Sequence, residues 1–121
     1  MSYVDGFLIP IPTKNLKAYK KMAQAGGKVW MKHGALQYFE CVAEDLTPQD
    51  IAYTFGKAAK IKPDETVIFS FIIYKSRKHR DQVNAKVMKD PAMNDPKYKN
   101  QPMPFDMKRF AYGGFEAIVE A

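Results

Sequence analysis

Four extended runs in this chain are apolar on both of their alternating sides, and two helical runs separate them in the order strand, helix, strand, strand, helix, strand. A sheet of such strands has to be covered on both faces. Two helices cover one face of a four-stranded sheet, so the other face needs a further partner, most simply a second copy of the chain. This surplus of apolar strand surface constrains the fold more than any single motif does.

The first strand runs over residues 3 to 11, through Tyr3, Val4, Phe7, Leu8, Ile9 and Ile11, and is closed by Pro10 and Pro12, which cannot donate to a sheet ladder. Thr13 or Asn15 caps the next element, in which Leu16, Tyr19, Met22, Ala23, Gly26, Val29, Trp30 and His33 recur at steps of three and four and predict one buried helical stripe. Gly26 and Gly27 each weaken a helix by about 1 kcal/mol relative to alanine, so a kink or a close packing contact is expected there. Gly34 supplies the left-handed stop.

From Ala35 to Asp45 a second strand carries Leu36, Tyr38, Glu40 and Val42 on one side and Gln37, Phe39, Cys41 and Ala43 on the other. Thr47 and Pro48 open a short helix through Ile51, Ala52, Phe55, Ala58 and Ala59, inserted before strand three. Pro63 and Asp64 turn into that strand, Thr66 to Tyr74, whose nearly unbroken apolar run predicts burial on both faces. Ser76 caps the second main helix, with Val83, Ala85, Val87 and Met88 on its apolar side, and Asp90 and Pro91 end it. A stretch rich in proline (Pro91, Pro96, Pro102, Pro104) then reaches about Phe105, long enough to serve as a lid or an interface loop. The last strand, Arg109 to Val119, contains Gly113 and Gly114, the mark of a bulge or of something packed close to the backbone.

A length of 121 residues, 46% of them hydrophobic, supports one domain, 1–121, with its own core. The single cysteine, Cys41, excludes an internal disulfide and offers no thiol set for zinc. The start of the chain has no basic region before an apolar one, and no apolar stretch approaches the roughly 18 to 20 residues that span a bilayer, so a cytoplasmic protein is expected. The net charge of +6 raises nucleic acid as a partner. Its distribution argues otherwise: Lys14, Lys17, Lys20, Lys21, Lys28 and Lys32 follow the polar side of one helix, and Lys75, Arg77, Lys78 and Arg80 mark the start of the other, the pattern of solvated helix surfaces.

The partner for the uncovered face follows from area. With Leu8, Phe39, Cys41, Ile68, Ile72, Phe115 and Val119 on that face and the alternate positions under the helices, the open patch exceeds the roughly 300 to 600 Å² that bounds the largest apolar patch of a typical monomer. A symmetric contact burying about 1,200 to 2,000 Å² removes it from water. A two-fold homodimer through the sheet face is the expectation.

Several segments also carry a family likeness: His33-Gly34-Ala35-Leu36 leading to Glu40-Cys41, Tyr74-Lys75-Ser76-Arg77 with His79-Arg80-Asp81 and Val83 to Met88, and Phe105 to Arg109 with Tyr112-Gly113-Gly114-Phe115. Over nearly the whole chain the sequence resembles the YbaA-like family of small bacterial proteins, domain of unknown function 1428. The resemblance implies an α+β, ferredoxin-like βαββαβ fold with a four-stranded antiparallel sheet, of the dimeric α+β barrel type, and it implies no established activity. The wider barrel superfamily includes cofactor-independent monooxygenases, haem-degrading enzymes and isomerases, but fold does not fix chemistry, so whether this chain is an enzyme is left open.

In that architecture a small-molecule pocket opens between sheet and helices, and Trp30, His33, Tyr38, Glu40 and Tyr112 are its candidate lining. The plainer reading makes Trp30 core, His33 a satisfied histidine at a helix end, and Tyr112, like Tyr74, a buried ring with a wet hydroxyl. His79 and Arg80, at the start of the second helix, are a candidate anion site, against a simple solvent-facing helix start. Asp106, Lys108 and Arg109 are read as ion-pairing residues of the dimer seam. No nucleophile triad or phosphate-binding glycine loop is present, and two histidines with one cysteine leave no transition-metal set, so neither cofactor nor metal is expected. Three functions follow: a small-molecule protein using the pocket, an RNA-binding module of the same element order, or a structural or regulatory dimer without ligand. The RNA reading is disfavoured because strand three, unlike the strand of an RNA-recognition sheet, holds neither glycine nor charge.

Overall fold

The apolar runs become four strands in the computed structural model, which describes residues 1–95 and 102–121: β1 (Tyr3–Pro12), β2 (Gln37–Val42), β3 (Glu65–Tyr74) and β4 (Ala111–Glu116). They form one antiparallel sheet in the order β2-β3-β1-β4. The helices are α1 (Leu16–Lys32), a single-turn α2 (Phe55–Ala58) and α3 (Arg77–Lys89). Apart from the short α2, this is the expected βαββαβ order. Among the described residues no helix is long and apolar enough to cross a membrane.

Register decides which side chains meet the helices. Leu8 lies opposite Phe69 on β3 and opposite Ala111 on β4, and Phe39 lies opposite Phe71. Directly opposed residues share a face, so the side away from α1 and α3 carries Val4, Leu8, Phe39, Cys41, Phe69, Phe71, Ala111 and Phe115. The expected membership of this face is corrected at three positions. Ile68 and Ile72 sit one residue out of phase, under the helices, and are 3% exposed, while Val119 lies past the end of β4. A run apolar on both sides, whose one polar residue, Ser70, is itself buried, gives no alternation from which to choose a side.

On the helix side the core forms two clusters. One gathers Val29, Ala35, Ile72, Tyr74, Val83 and Val87, and the other Ile9, Ile11, Tyr19, Ala23 and Ile68. Helix α1 contributes to both. It runs without interruption through Gly26 and Gly27, so of the two expectations for that pair the close contact holds: a Cβ at Gly27 would stand 3.0 Å from the Tyr38 ring. Gly34 ends the helix at φ 109°, in the left-handed region that glycine tolerates.

The insertion departs from its sequence reading. Asp50 adopts φ 69°, which breaks a helical path between Pro48 and Ile51, and the helix starts only after Thr54, whose hydroxyl accepts from the Lys57 amide. Its Phe55 ring lies 5.7 Å from that of Phe69, so the insertion covers one end of the otherwise bare sheet face. Pro10 and Val67 are buried there, whereas Phe39, Phe69 and Phe115 stay 45%, 42% and 61% exposed.

Ser76 caps α3 by accepting from the His79 amide, and Asp90 caps a 3-10 turn, Pro91–Asn94, by accepting from Ala92. The proline-rich loop expected as a lid or interface continues into residues 96–101, which lie outside the described residues.

Candidate functional site

Two neighbouring ridges of α1 stand over the sheet with space beneath them. Leu16, Lys20, Gln24 and Lys28 follow one another at four-residue steps, as do Tyr19, Ala23, Gly27 and Met31. Together with Tyr38, Glu40 and Val42 of β2 and Ile68 of β3 they enclose a cavity of about 640 Å³, within the roughly 300 to 1,000 Å³ usual for small-molecule sites. The ridge nearest the sheet is small where it meets β2: Gly27 lets the Tyr38 ring lie against the helix, and Ala23 lines the cavity with a side chain of one carbon.

Leu16, Ala23, Met31, Val42 and Ile68 give it an apolar lining, Lys20, Gln24 and Lys28 stand on the exposed ridge, and the two phenol hydroxyls converge on one carboxylate. The Tyr19 hydroxyl donates to Glu40 Oε2 at 2.6 Å and the Tyr38 hydroxyl to Oε1 at 2.8 Å. Burial, reinforced by the neighbouring carboxylate, raises both phenols well above the usual tyrosine range. Both remain protonated donors at any physiological pH. A carboxylate has about four acceptor positions, and these phenols use one on each oxygen. No ion pair to Glu40 occurs among the described residues. The cavity thus holds an oriented negative charge with neutral donors and unused acceptor capacity.

Of the residues read from sequence as pocket lining, Tyr38 and Glu40 line this cavity. Trp30 stands behind it, its ring 6.2 Å from that of Tyr38 and its Nε1–H donating to Asn84 Oδ1 at 3.1 Å. His33 lies elsewhere: its Nε2 meets Asp90 Oδ2 at 2.7 Å, beside Lys32 Nζ at 3.2 Å, and ties the end of α1 to the end of α3. Tyr19 was missed as a site residue because it belongs to the buried stripe. Its hydroxyl, facing a strand with an inward glutamate, was the available signal.

Tyr112 and Arg80 come together in a second polar cluster, outside the cavity. Arg80 Nη1 donates to Asp5 Oδ1 at 2.8 Å and to the Tyr112 hydroxyl, which itself donates to Asp5 Oδ1 at 2.9 Å. Arg80 Nε reaches Asp81 at 2.8 Å, and the guanidinium stacks 5.0 Å from the centre of the Tyr3 ring. Asp5 is 2% exposed and Arg80 9%. Arg80 is therefore engaged by internal partners, as is its proposed companion His79, whose Nδ1 accepts from the Lys75 amide at 3.0 Å. Arg109, read as a seam residue, makes a two-pronged ion pair within the chain, Nη1 and Nη2 to Glu65 at 2.6 and 2.8 Å, and also donates to the Lys60 carbonyl. Among the described residues no group of three His, Cys, Asp or Glu side chains could hold a metal ion.

Two carboxylates make folding sensitive to acid. The Arg109 guanidinium holds Glu65 down at about 2, and the Ala92 amide with His33 and Lys32 holds Asp90 at about 2. Both values lie below the ordinary range near 4, so each group favours the folded state above pH about 4, and that contribution disappears as pH falls toward 2. Urea midpoints measured from pH 6 down to pH 2 are expected to drop most steeply below pH 4. Glu65→Gln should flatten this drop, and an unchanged profile in that variant would contradict the assignment.

The likeness seen in the sequence extends to known proteins. Residues 2–107 match the family described as Protein of unknown function (DUF1428). The chain belongs to this family. Among its relatives, the uncharacterized protein YbaA of Escherichia coli K12 is 42% identical over 120 residues, covering 99% of each chain, and the protein of that name from Shigella flexneri is equally similar. A solved structure, a dimeric ferredoxin-like protein from an uncultured marine organism, superposes with a TM-score of 0.62 at 12% identity, over 100% of both chains. At that identity the likeness speaks for the fold, and with the strand order above it makes this DUF1428 chain ferredoxin-like.

Proposed function

We propose that the protein is a homodimer, joined through the bare face of its sheet, that binds a small molecule in the cavity between α1 and β2. The observation that carries the ligand reading is the Glu40 carboxylate, oriented by Tyr19 and Tyr38 at the wall of an apolar space large enough for a metabolite. Buried polar groups gathered on one point of an otherwise greasy cavity are the usual means of fixing a ligand's orientation. The dimer reading rests on the exposed phenylalanines of the opposite face and is compatible with the dimeric state named for the solved ferredoxin-like protein. Nucleic acid is disfavoured on that face. Val4, Leu8, Phe39, Cys41, Phe69, Phe71, Ala111 and Phe115 offer rings for stacking but no cation for phosphate.

Filling the cavity tests its role. N-phenyl-1-naphthylamine, a neutral apolar fluorophore, is expected to bind the wild-type protein, and Ala23→Phe should weaken that binding tenfold or more with an unchanged circular dichroism spectrum. Absence of dye binding to the wild type, or equal binding by the variant, would remove the cavity reading.

A further inference from the structure

The polar groups of the cavity are arranged by sign, and the arrangement selects a ligand. Glu40 contributes a negative charge at the inner wall, accompanied by the neutral hydroxyls of Tyr19 and Tyr38. A partly buried carboxylate with no cationic partner among the described residues favours a cation that neutralises it and uses its free acceptor positions. The outer wall is of opposite sign. Lys20 and Lys28 are exposed on the same ridge of α1, with Gln24 between them, and both line the cavity. Eight residues of helix separate these lysines by about 12 Å, and both are exposed where Glu40 is part-buried, so they belong to the solvent side of the cavity. The apolar part of the lining is Leu16, Ala23, Met31, Val42 and Ile68.

We propose that the occupant is a slender apolar molecule with an ammonium group at its inner end and an acidic group at its outer end, an ω-amino acid in chemical class. The ammonium donates to Glu40, with the phenol oxygens as further acceptors, and the methylene body lies along the aliphatic wall. The acid sits between Lys20 and Lys28. This inference rests on the cavity being a small-molecule site and adds which molecule it selects. A diamine places its second cation against the lysines, and a dicarboxylate places its inner acid against Glu40, so each meets like charge at one end.

Displacement of N-phenyl-1-naphthylamine separates the two claims. A set of ω-amino acids of six to twelve carbons is compared with the diamines, dicarboxylates and simple fatty acids of matching length. At least one ω-amino acid is expected to displace the dye at a concentration tenfold or more below that of its matched diamine and dicarboxylate. Glu40→Gln should abolish the preference over the dicarboxylate, and Lys20→Ala with Lys28→Ala should abolish the preference over the diamine. The lysine variants, at exposed positions, keep the test independent of any folding defect from the glutamate change. Displacement without any preference among the four classes overturns the charge arrangement and leaves the cavity reading intact. A dye that never binds overturns both.

Discussion

Replacing Arg80 with methionine is expected to lower the unfolding free energy by about 3 to 5 kcal/mol, the usual cost of removing one partner from a buried ion pair. The reason is the residue left behind. Asp5 is 2% exposed, and Arg80 Nη1 and the Tyr112 hydroxyl both donate to its Oδ1. Without the guanidinium the carboxylate keeps one neutral donor and no cation, and Tyr3 loses the group stacked on its ring. Lysine is a poor substitute, because a point charge cannot reach Asp5, Asp81 and Tyr112 from one rigid fork. The double variant Asp5→Leu, Arg80→Met should recover most of the loss, since an apolar pair carries no desolvation penalty. Urea unfolding at one fixed protein concentration measures all three proteins, the fixed concentration being needed because self-association of the kind proposed would add to apparent stability. A single variant within about 1 kcal/mol of wild type would show that the pair is not a buried charge at all.

The second large effect concerns assembly. Phe39→Lys combined with Phe115→Lys is expected to convert the proposed dimer into a folded monomer, weakening self-association by a thousandfold or more. In a two-fold contact each substitution appears twice, and like charges brought together in an interface cost several kcal/mol. Phe39 is 45% and Phe115 61% exposed in the single chain, so neither change disturbs the core beneath the helices. Sedimentation equilibrium at micromolar concentration reads the result directly. A wild-type protein that sediments as a folded monomer would dispose of the assembly, and with it the explanation of why three phenylalanines lie bare on one face.

Much of the fold was legible because local signals agreed. Pro12 closed β1, although Pro10 was carried inside the strand opposite Val67, Ser76 capped α3, Asp90 and Pro91 ended it, and Gly34 adopted the left-handed turn expected of a glycine stop. The failures have a common physical origin. A strand such as Val67 to Ile73, apolar on both sides and with its one polar residue, Ser70, itself buried, does not say which side it turns inward, and only pairing with Leu8 and Phe39 settled that Phe69 and Phe71 face outward. The inserted helix was placed too early because Thr47-Pro48 is a sound local start, whereas Asp50 takes the left-handed conformation that aspartate visits more readily than most residues and that interrupts a helix. The site was half visible. Tyr38 and Glu40 announced themselves as polar groups inside a strand, but Tyr19, His33, Arg80 and Tyr112 acquire their partners from residues 21 to 107 positions away in sequence. Such pairings are products of topology.

A single helix reaching into both core clusters has a bearing on how the molecule comes apart. Tyr19 and Ala23 anchor α1 in one cluster and Val29 in the other, and the span between them contains Gly26 and Gly27, the residues with the least intrinsic commitment to helix. The cooperativity of unfolding therefore passes through the softest stretch of its own crossbeam, held straight by the Tyr38 ring lying against it rather than by its own backbone preferences.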